Sequence, residues 1–234
     1  MSVAVRPSGD DRFVSIHLPA WGCEWSLQFP EAIVCREGAI MAWPRTCGPH
    51  RQALGGGRWG YVWRPTEPYV ADVSGMSLKD GRGNPQYGEF FLGVTLRAEL
   101  RAGAGELRLS LTLTNESERS AHGVWSEGGC LQAASEQFRG GDEVPRCHVM
   151  VGGTMVSMAA LHRTVPERCQ YFCDSAEPID SAGWYWGRSN ATIDRPAVVG
   201  AASRQGSRCV VLGYEHATSG WANSDDHHCL HSAP

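Results

Sequence analysis

Lysine is almost missing from this chain. Lys79 stands alone among 21 basic residues, so nearly all positive charge is arginine. The planar arginine fork suits carboxylates, but a bias spread over the whole chain reads first as composition. The net charge is −4 and no basic stripe gathers in one segment, which argues against nucleic acid as a partner. Long apolar runs are missing too. No stretch approaches the roughly 18 residues of a membrane-spanning helix, so no membrane partner is expected. The segment 1–19 holds Arg6, Asp10, Asp11 and Arg12 and no apolar centre, so no secretory signal and a cytoplasmic location are expected. Gly200-Ala-Ala-Ser-Arg-Gln-Gly206 lacks the lysine of a phosphate loop, and no helical pattern follows it. No serine sits in a Gly-x-Ser-x-Gly elbow. No repeat of fixed period and no linker-like break in composition divides the chain.

What is present describes a globular protein. The 234 residues are 42% hydrophobic and 20% charged, enough to bury a core without disulfide support. Nine cysteines is an odd number, so at least one is unpaired by arithmetic. Their spacings, such as Cys169-Gln-Tyr-Phe-Cys173, do not make the two close pairs of a zinc ribbon. In a reducing compartment most of them would serve as small buried apolar groups.

The clearest pattern is a rhythm of two. Val94, Leu96, Ala98 and Leu100 alternate with Thr95, Arg97 and Glu99; after a turn at Arg101-Ala-Gly-Ala-Gly105, Leu107, Leu109, Leu111 and Leu113 alternate with Arg108, Ser110, Thr112 and Thr114. Period-two alternation sends the two sets to opposite faces of a strand. Two such runs around a Gly-rich turn predict an antiparallel hairpin with one buried face. Further strands are expected at 12–18 and 24–29, and as a pair within 31–41. Others are expected at 61–63, 123–134, 147–151, 154–161, 168–174, 196–203 and 207–214. The segment 43–60 reads as a loop, since it is rich in Gly, Pro and Arg. Only 158–162 has helical character. The expectation is therefore all-β: a single antiparallel β-sandwich domain over 1–234, with a final C-terminal strand to be sought beyond Pro234.

The stretch Glu106-Leu-Arg-Leu-Ser-Leu-Thr-Leu-Thr-Asn-Glu-Ser-Glu118, a strand closing on a Thr-Asn turn, resembles the galactose-mutarotase-type β-supersandwich family over residues 106–131. The resemblance implies large antiparallel sheets and a concave sugar-binding face. Epimerases of that family carry a His-Pro-Tyr-Phe-like stretch after this turn. Here the sequence is His122-Gly-Val-Trp-Ser-Glu-Gly-Gly-Cys130, so the architecture carries over and the catalytic histidine does not.

Two groups of residues carry candidate chemistry. Asn223-Ser-Asp-Asp-His-His-Cys-Leu-His231 is the densest polar cluster. If it is extended, His227, Cys229 and His231 share one face, and imidazole with thiolate suits zinc or another divalent metal. Asp225 or Asp226 can complete the shell or orient a histidine; for a fourth ligand from elsewhere in the chain, His148, Glu215 and His216 are candidates. Without a metal, His227 or His228 beside Asp225 can act as general acid or base near neutral pH. Glu127, with Glu89 and Glu215, is a candidate carboxylate for glycoside chemistry. The second group is aromatic: Trp125, Trp184, Trp186 and Trp221, with Arg188, offer flat apolar faces beside polar groups, as a sugar ring requires. Three readings follow. One is a carbohydrate-recognising sandwich, including a sugar-active enzyme of the epimerase or lyase type. The second is a metal-dependent small-molecule enzyme, and the third is a non-catalytic interaction domain.

Overall fold

The computed structural model describes residues 2–8, 13–35, 38–41, 52–55, 58–63, 93–127, 129–139, 146–162, 170–173, 187–223 and 229–233. Strands dominate these residues, and their pairing is antiparallel almost throughout. The chain divides into two compact units, Met1–Leu78 with Arg82–Ser126, and Lys79–Gly81 with Glu127–Pro234.

In the first unit, β1 (Ala4–Pro7), β2 (Val14–Leu18) and β3 (Cys23–Gln28) pair antiparallel in sequence order. Pro19 stops β2, and a 3₁₀ turn at Pro19–Trp21 ends on Gly22, whose φ of 59° is left-handed. Val14, Ile16 and Leu18 on β2 and Trp25 and Leu27 on β3 are buried as their alternation predicts. The ambiguous segment 31–41 resolves into a hairpin of β4 (Ala32–Cys35) and β5 (Gly38–Met41).

A four-stranded meander follows: β6 (Gln52–Gly55), β7 (Arg58–Trp63), β8 (Val94–Ala102) and β9 (Leu107–Asn115). Two strands thus enter the segment 43–60, which reads as a loop from its composition. Pairing with β8 explains the difference: Arg58 to Trp63 lie opposite Arg101 to Leu96, and ladder bonds to a neighbour override weak local preference. The Arg58 guanidinium also grips Glu99 with two hydrogen bonds of 2.8 Å. Those bonds hold the Glu99 carboxyl below its usual range.

The β8–β9 hairpin forms in the predicted register, from Val94 opposite Asn115 to Ala102 opposite Leu107. Its turn is shorter than expected, at 103–106, closed by Gly103 N donating to Glu106 O at 2.9 Å. The two strands differ in burial. Val94, Leu96, Ala98 and Leu100 are no more than 2% exposed, whereas the β9 leucines remain half-buried. β9 ends the sheet, so among the described strands β8 is its single neighbour. At its end Asn115 Oδ1 accepts from Ser117 N and Oγ, and Asn115 Nδ2 donates to Arg119 O. The Thr-Asn turn is therefore held by the asparagine side chain.

The segment 123–134 is two strands rather than the one expected. β10 (Trp125–Glu127) joins β4, while β11 (Cys130–Ala133) joins a different sheet. In the second unit, β12 (Cys147–Val151) and β13 (Thr154–Ser157) form the predicted hairpin. Gly152 and Gly153 both take positive φ, 59° and 76°, the requirement of a tight primed turn. Asp194 accepts from both glycine N–H groups, at 2.8 and 2.6 Å. The helical character of 158–162 reduces to a 3₁₀ turn at Met158–Ala160.

β12 also pairs with β16 (Val198–Ala202), which pairs with β17 (Cys209–Gly213). The remaining strands are β14 (Gln170–Cys173), β15 (Gly187–Thr192), β18 (Ser219–Asn223) and β19 (Cys229–Ala233). They run in the order β11-β19-β18-β14-β15, with β14 and β15 parallel. Strands β16 and β17 lie against β19, and the Ser232 hydroxyl donates to Ala197 O at 3.0 Å. Ser232 and Leu230 therefore face that layer. Cys229 and His231, one residue out of step, face the other way. Among the described residues no helix is long and apolar enough to cross a membrane.

Candidate metal centre

The alternation that turns Cys229 and His231 to one face of β19 also selects their neighbours. Cys130 lies opposite His231 on β11, and Gln132 lies opposite Cys229. On the other side of β19, Trp221 lies opposite His231 and Asn223 opposite Cys229. Three adjacent strands thus place Cys130, His231 and Trp221 in one row, and Gln132, Cys229 and Asn223 in the next.

The row positions bring three metal-type donors together. One ligand atom each from Cys130, Cys229 and His231 lies within 4.8 Å of the other two, and all three residues are buried. His231 Nε2 is 2.9 Å from Cys229 Sγ. Gln132 Nε2 donates to Cys130 Sγ at 3.2 Å. The Trp221 ring stacks on the His231 ring, with centroids 4.6 Å apart and planes 8° from parallel. Exposure of Cys130, Cys229 and His231 is 2%, 4% and 6%.

Tetrahedral zinc with Zn–S of about 2.3 Å and Zn–N of about 2.0 Å would space sulfur and nitrogen by about 3.5 Å, and two sulfurs by about 3.8 Å. His231 Nε2 and Cys229 Sγ are closer than this, at 2.9 Å, and no donor pair is farther apart than 4.8 Å, so the donors lie in the range from which an ion could be held. A disulfide is a poorer use of the two thiols. Cys130 and Cys229 are diagonal across β11 and β19, and diagonal Cα atoms stand about 7–8 Å apart, beyond the usual disulfide limit of about 6.8 Å. The Cys229–His231 pair alone has the composition of a nucleophilic dyad. Its burial and the second thiol beside it suit metal ligation better.

Of the expected metal ligands, Cys229 and His231 belong to this group. Cys130 was not among them, because its place beside His231 depends on a pairing between strands far apart in sequence. His227, His228 and Asp225 lie outside the described residues, as do Trp184 and Trp186. Trp125 and Glu127 are on β10 and Arg188 is on β15; their side chains lie outside what is described. Trp221 is 8% exposed and belongs to the cluster. His148 is on β12, its Nδ1 2.9 Å from Arg146 O. Neither it nor Glu215 nor His216 joins the donor group found among the described residues.

Cys23, Cys147 and Cys209 are further thiols. Burial pushes the Cys147 thiol up to about 12, against a smaller opposing pull from Arg146. Partial burial also raises the Cys209 thiol.

Compared with protein-family models, with curated proteins and with solved structures, the chain matches none.

Proposed function

We propose that this chain is a zinc protein in which Cys130, Cys229 and His231 hold the ion. The observation that carries the reading is the convergence of two thiols and one imidazole, from two neighbouring strands, inside a 4.8 Å span. Charge supports a divalent ion. Two thiolates and a neutral imidazole balance Zn²⁺, so the buried assembly carries no net charge and avoids a large desolvation cost. The donor set is of the borderline-soft kind that zinc prefers over magnesium or calcium.

Among the described residues three donors are found, and a tetrahedral shell would be completed by a fourth ligand, a further side chain or a water or substrate oxygen. With water or substrate in the fourth position, a zinc ion held there would supply Lewis-acid polarisation or an activated water. The chain's own part is to fix the donors: β11 and β19 set their separation, and the Trp221 stack limits rotation of the His231 ring. The reading therefore favours a metal-dependent enzyme acting on a small molecule.

Metal analysis of untagged protein tests this. The expected result is one zinc per chain, with loss in Cys130→Ser, Cys229→Ser and His231→Ala. Substoichiometric metal unchanged by all three substitutions overturns it. A normal zinc content in Cys130→Ser with loss in His227→Ala would return the centre to the tail alone.

A carbohydrate-recognising sandwich is the second reading, supported by the resemblance at residues 106–131. One face of Trp221 is taken by His231, so Trp125, Trp184 and Trp186 with Arg188 are left to carry sugar stacking. Tryptophan fluorescence titrated with neutral and acidic sugars tests it, and a flat response across the panel counts against it.

A further inference from the structure

We infer that Gln132 is a positioning residue for the metal centre, holding and tuning the Cys130 sulfur without touching the ion; this rests on the zinc reading above. Gln132 is two residues from Cys130 on β11, hence on the same face, and lies opposite Cys229. It is only half-buried, yet its side chain turns along the strand toward sulfur rather than out to solvent. The contact is an amide N–H donated to Cys130 Sγ at 3.2 Å.

The chemistry of that contact depends on what the sulfur is. A thiolate is an acceptor only, so the amide N–H is attractive to it and the amide oxygen is not. A metal-bound thiolate therefore keeps the side chain in the observed orientation. In return the donor draws electron density from sulfur, lessens its donation to the ion and fixes its direction. Groups that orient metal ligands in this way are commonly worth 10–100-fold in metal affinity. No other hydrogen-bonding side chain on β11 can substitute: Leu131 points to the opposite face, and Ala133 has no polar atom.

Cobalt(II) replaces zinc as a coloured probe of the same site. Wild type, Gln132→Leu and Gln132→Glu are loaded with cobalt, and affinity is measured against a competing chelator. Leucine has similar bulk and no donor; glutamate keeps the shape and offers only acceptors. Both variants are expected to bind cobalt about tenfold or more weakly, with the sulfur-to-cobalt charge-transfer band moved to lower energy. Leu131→Val perturbs the other face of the same strand and is expected to leave the band in place. Glutamine variants that bind cobalt with wild-type affinity and an unmoved band overturn the inference while leaving the zinc reading intact. So does a band that moves equally in Leu131→Val. A wild-type protein that takes up no cobalt overturns the zinc reading and this inference with it. If Gln132→Leu does not fold, the isosteric Gln132→Glu decides alone.

Discussion

The indole of Trp221 lies flat on the imidazole of His231, with ring centroids 4.6 Å apart. The two residues face each other across β18 and β19, so the stack is a cross-strand pair placed by register. Such pairs contribute about 0.5–1.5 kcal/mol beyond simple area burial. Its more specific effect is on direction: an imidazole held flat against an indole keeps Nε2 aimed at Cys229 Sγ. The His231 ring protons should therefore resonate upfield of an ordinary histidine, from the ring current of Trp221. Trp221→Phe should keep most of that displacement, and Trp221→Ala should abolish it. Identical shifts in wild type and Trp221→Ala would contradict the stack.

Cys147 and Cys209 should differ sharply in reactivity. Cys209 is exposed on β17, while Cys147 is buried on β12 with its thiol pushed up to about 12. Since the thiolate is the reactive form, a thiol reagent at pH 8 should label Cys209 in the native protein and Cys147 only on unfolding. The same shift links Cys147 to stability. Its folded value lies above the unfolded one, so its contribution is complete below about pH 9 and is lost as the pH rises toward 12. Over that window the slope for this one group is about 1.4 kcal/mol per pH unit. Cys147→Ala should flatten the alkaline limb of a denaturation series, and an unchanged limb would count against the assignment.

The two strands of the β8–β9 hairpin should respond unequally to truncation. Leu96 and Leu100 are each 1% exposed, so replacing either by Ala should cost about 2–5 kcal/mol. Leu109 and Leu111 are half-buried on β9, and their Ala variants should cost about 1 kcal/mol or less. Urea denaturation of the four variants checks the order. Equal losses would mean that β9 is covered as fully as β8.

Gly220 should resist any side chain. A Cβ there would stand 2.6 Å from Val199 Cγ1 and 3.3 Å from His231 O. Val199 is fully buried and cannot swing aside, so Gly220→Ala should cost about 1–3 kcal/mol. At Gly200 the nearest atom, at 2.8 Å, is the flexible tip of Met155, and Gly200→Ala should be the milder change. Val199→Ala should partly rescue Gly220→Ala, with a coupling of about 1 kcal/mol in a double-mutant cycle. Strict additivity would remove the proposed clash.

Local rhythm made most strands legible. The alternating apolar positions of 14–18, 25–29 and 94–100 are buried as their period predicts, and Gly152-Gly153 marks its hairpin through positive φ. Where the signal lies in pairing rather than period, sequence reading falls short. β6 and the start of β7 hide in a stretch of Gly and Arg because their order comes from pairing, β7 with β8 and β6 with β7. The break between β10 and β11 sends two adjacent short strands to different sheets, which no local preference encodes. The candidate centre divides the same way. Cys229 and His231 are two residues apart, so their shared face is visible in the sequence. Cys130 joins them only through the β11–β19 register, and that is a tertiary fact. Trp221, expected among the sugar-facing tryptophans, lies against the His231 imidazole through the β18–β19 register, which composition does not encode.

The pairing of β11 with β19 also sets a schedule for the newly made chain. Cys130 leaves the ribosome about a hundred residues before Cys229 and His231. At about 5–20 residues per second that is a wait of roughly 5–20 s. During that interval its sulfur has neither ion nor imidazole for company, and it is open to oxidants and to stray metals. On the zinc reading proposed above, loading would follow translation, and a growth medium poor in zinc should leave its mark on freshly synthesised molecules before it touches the mature pool.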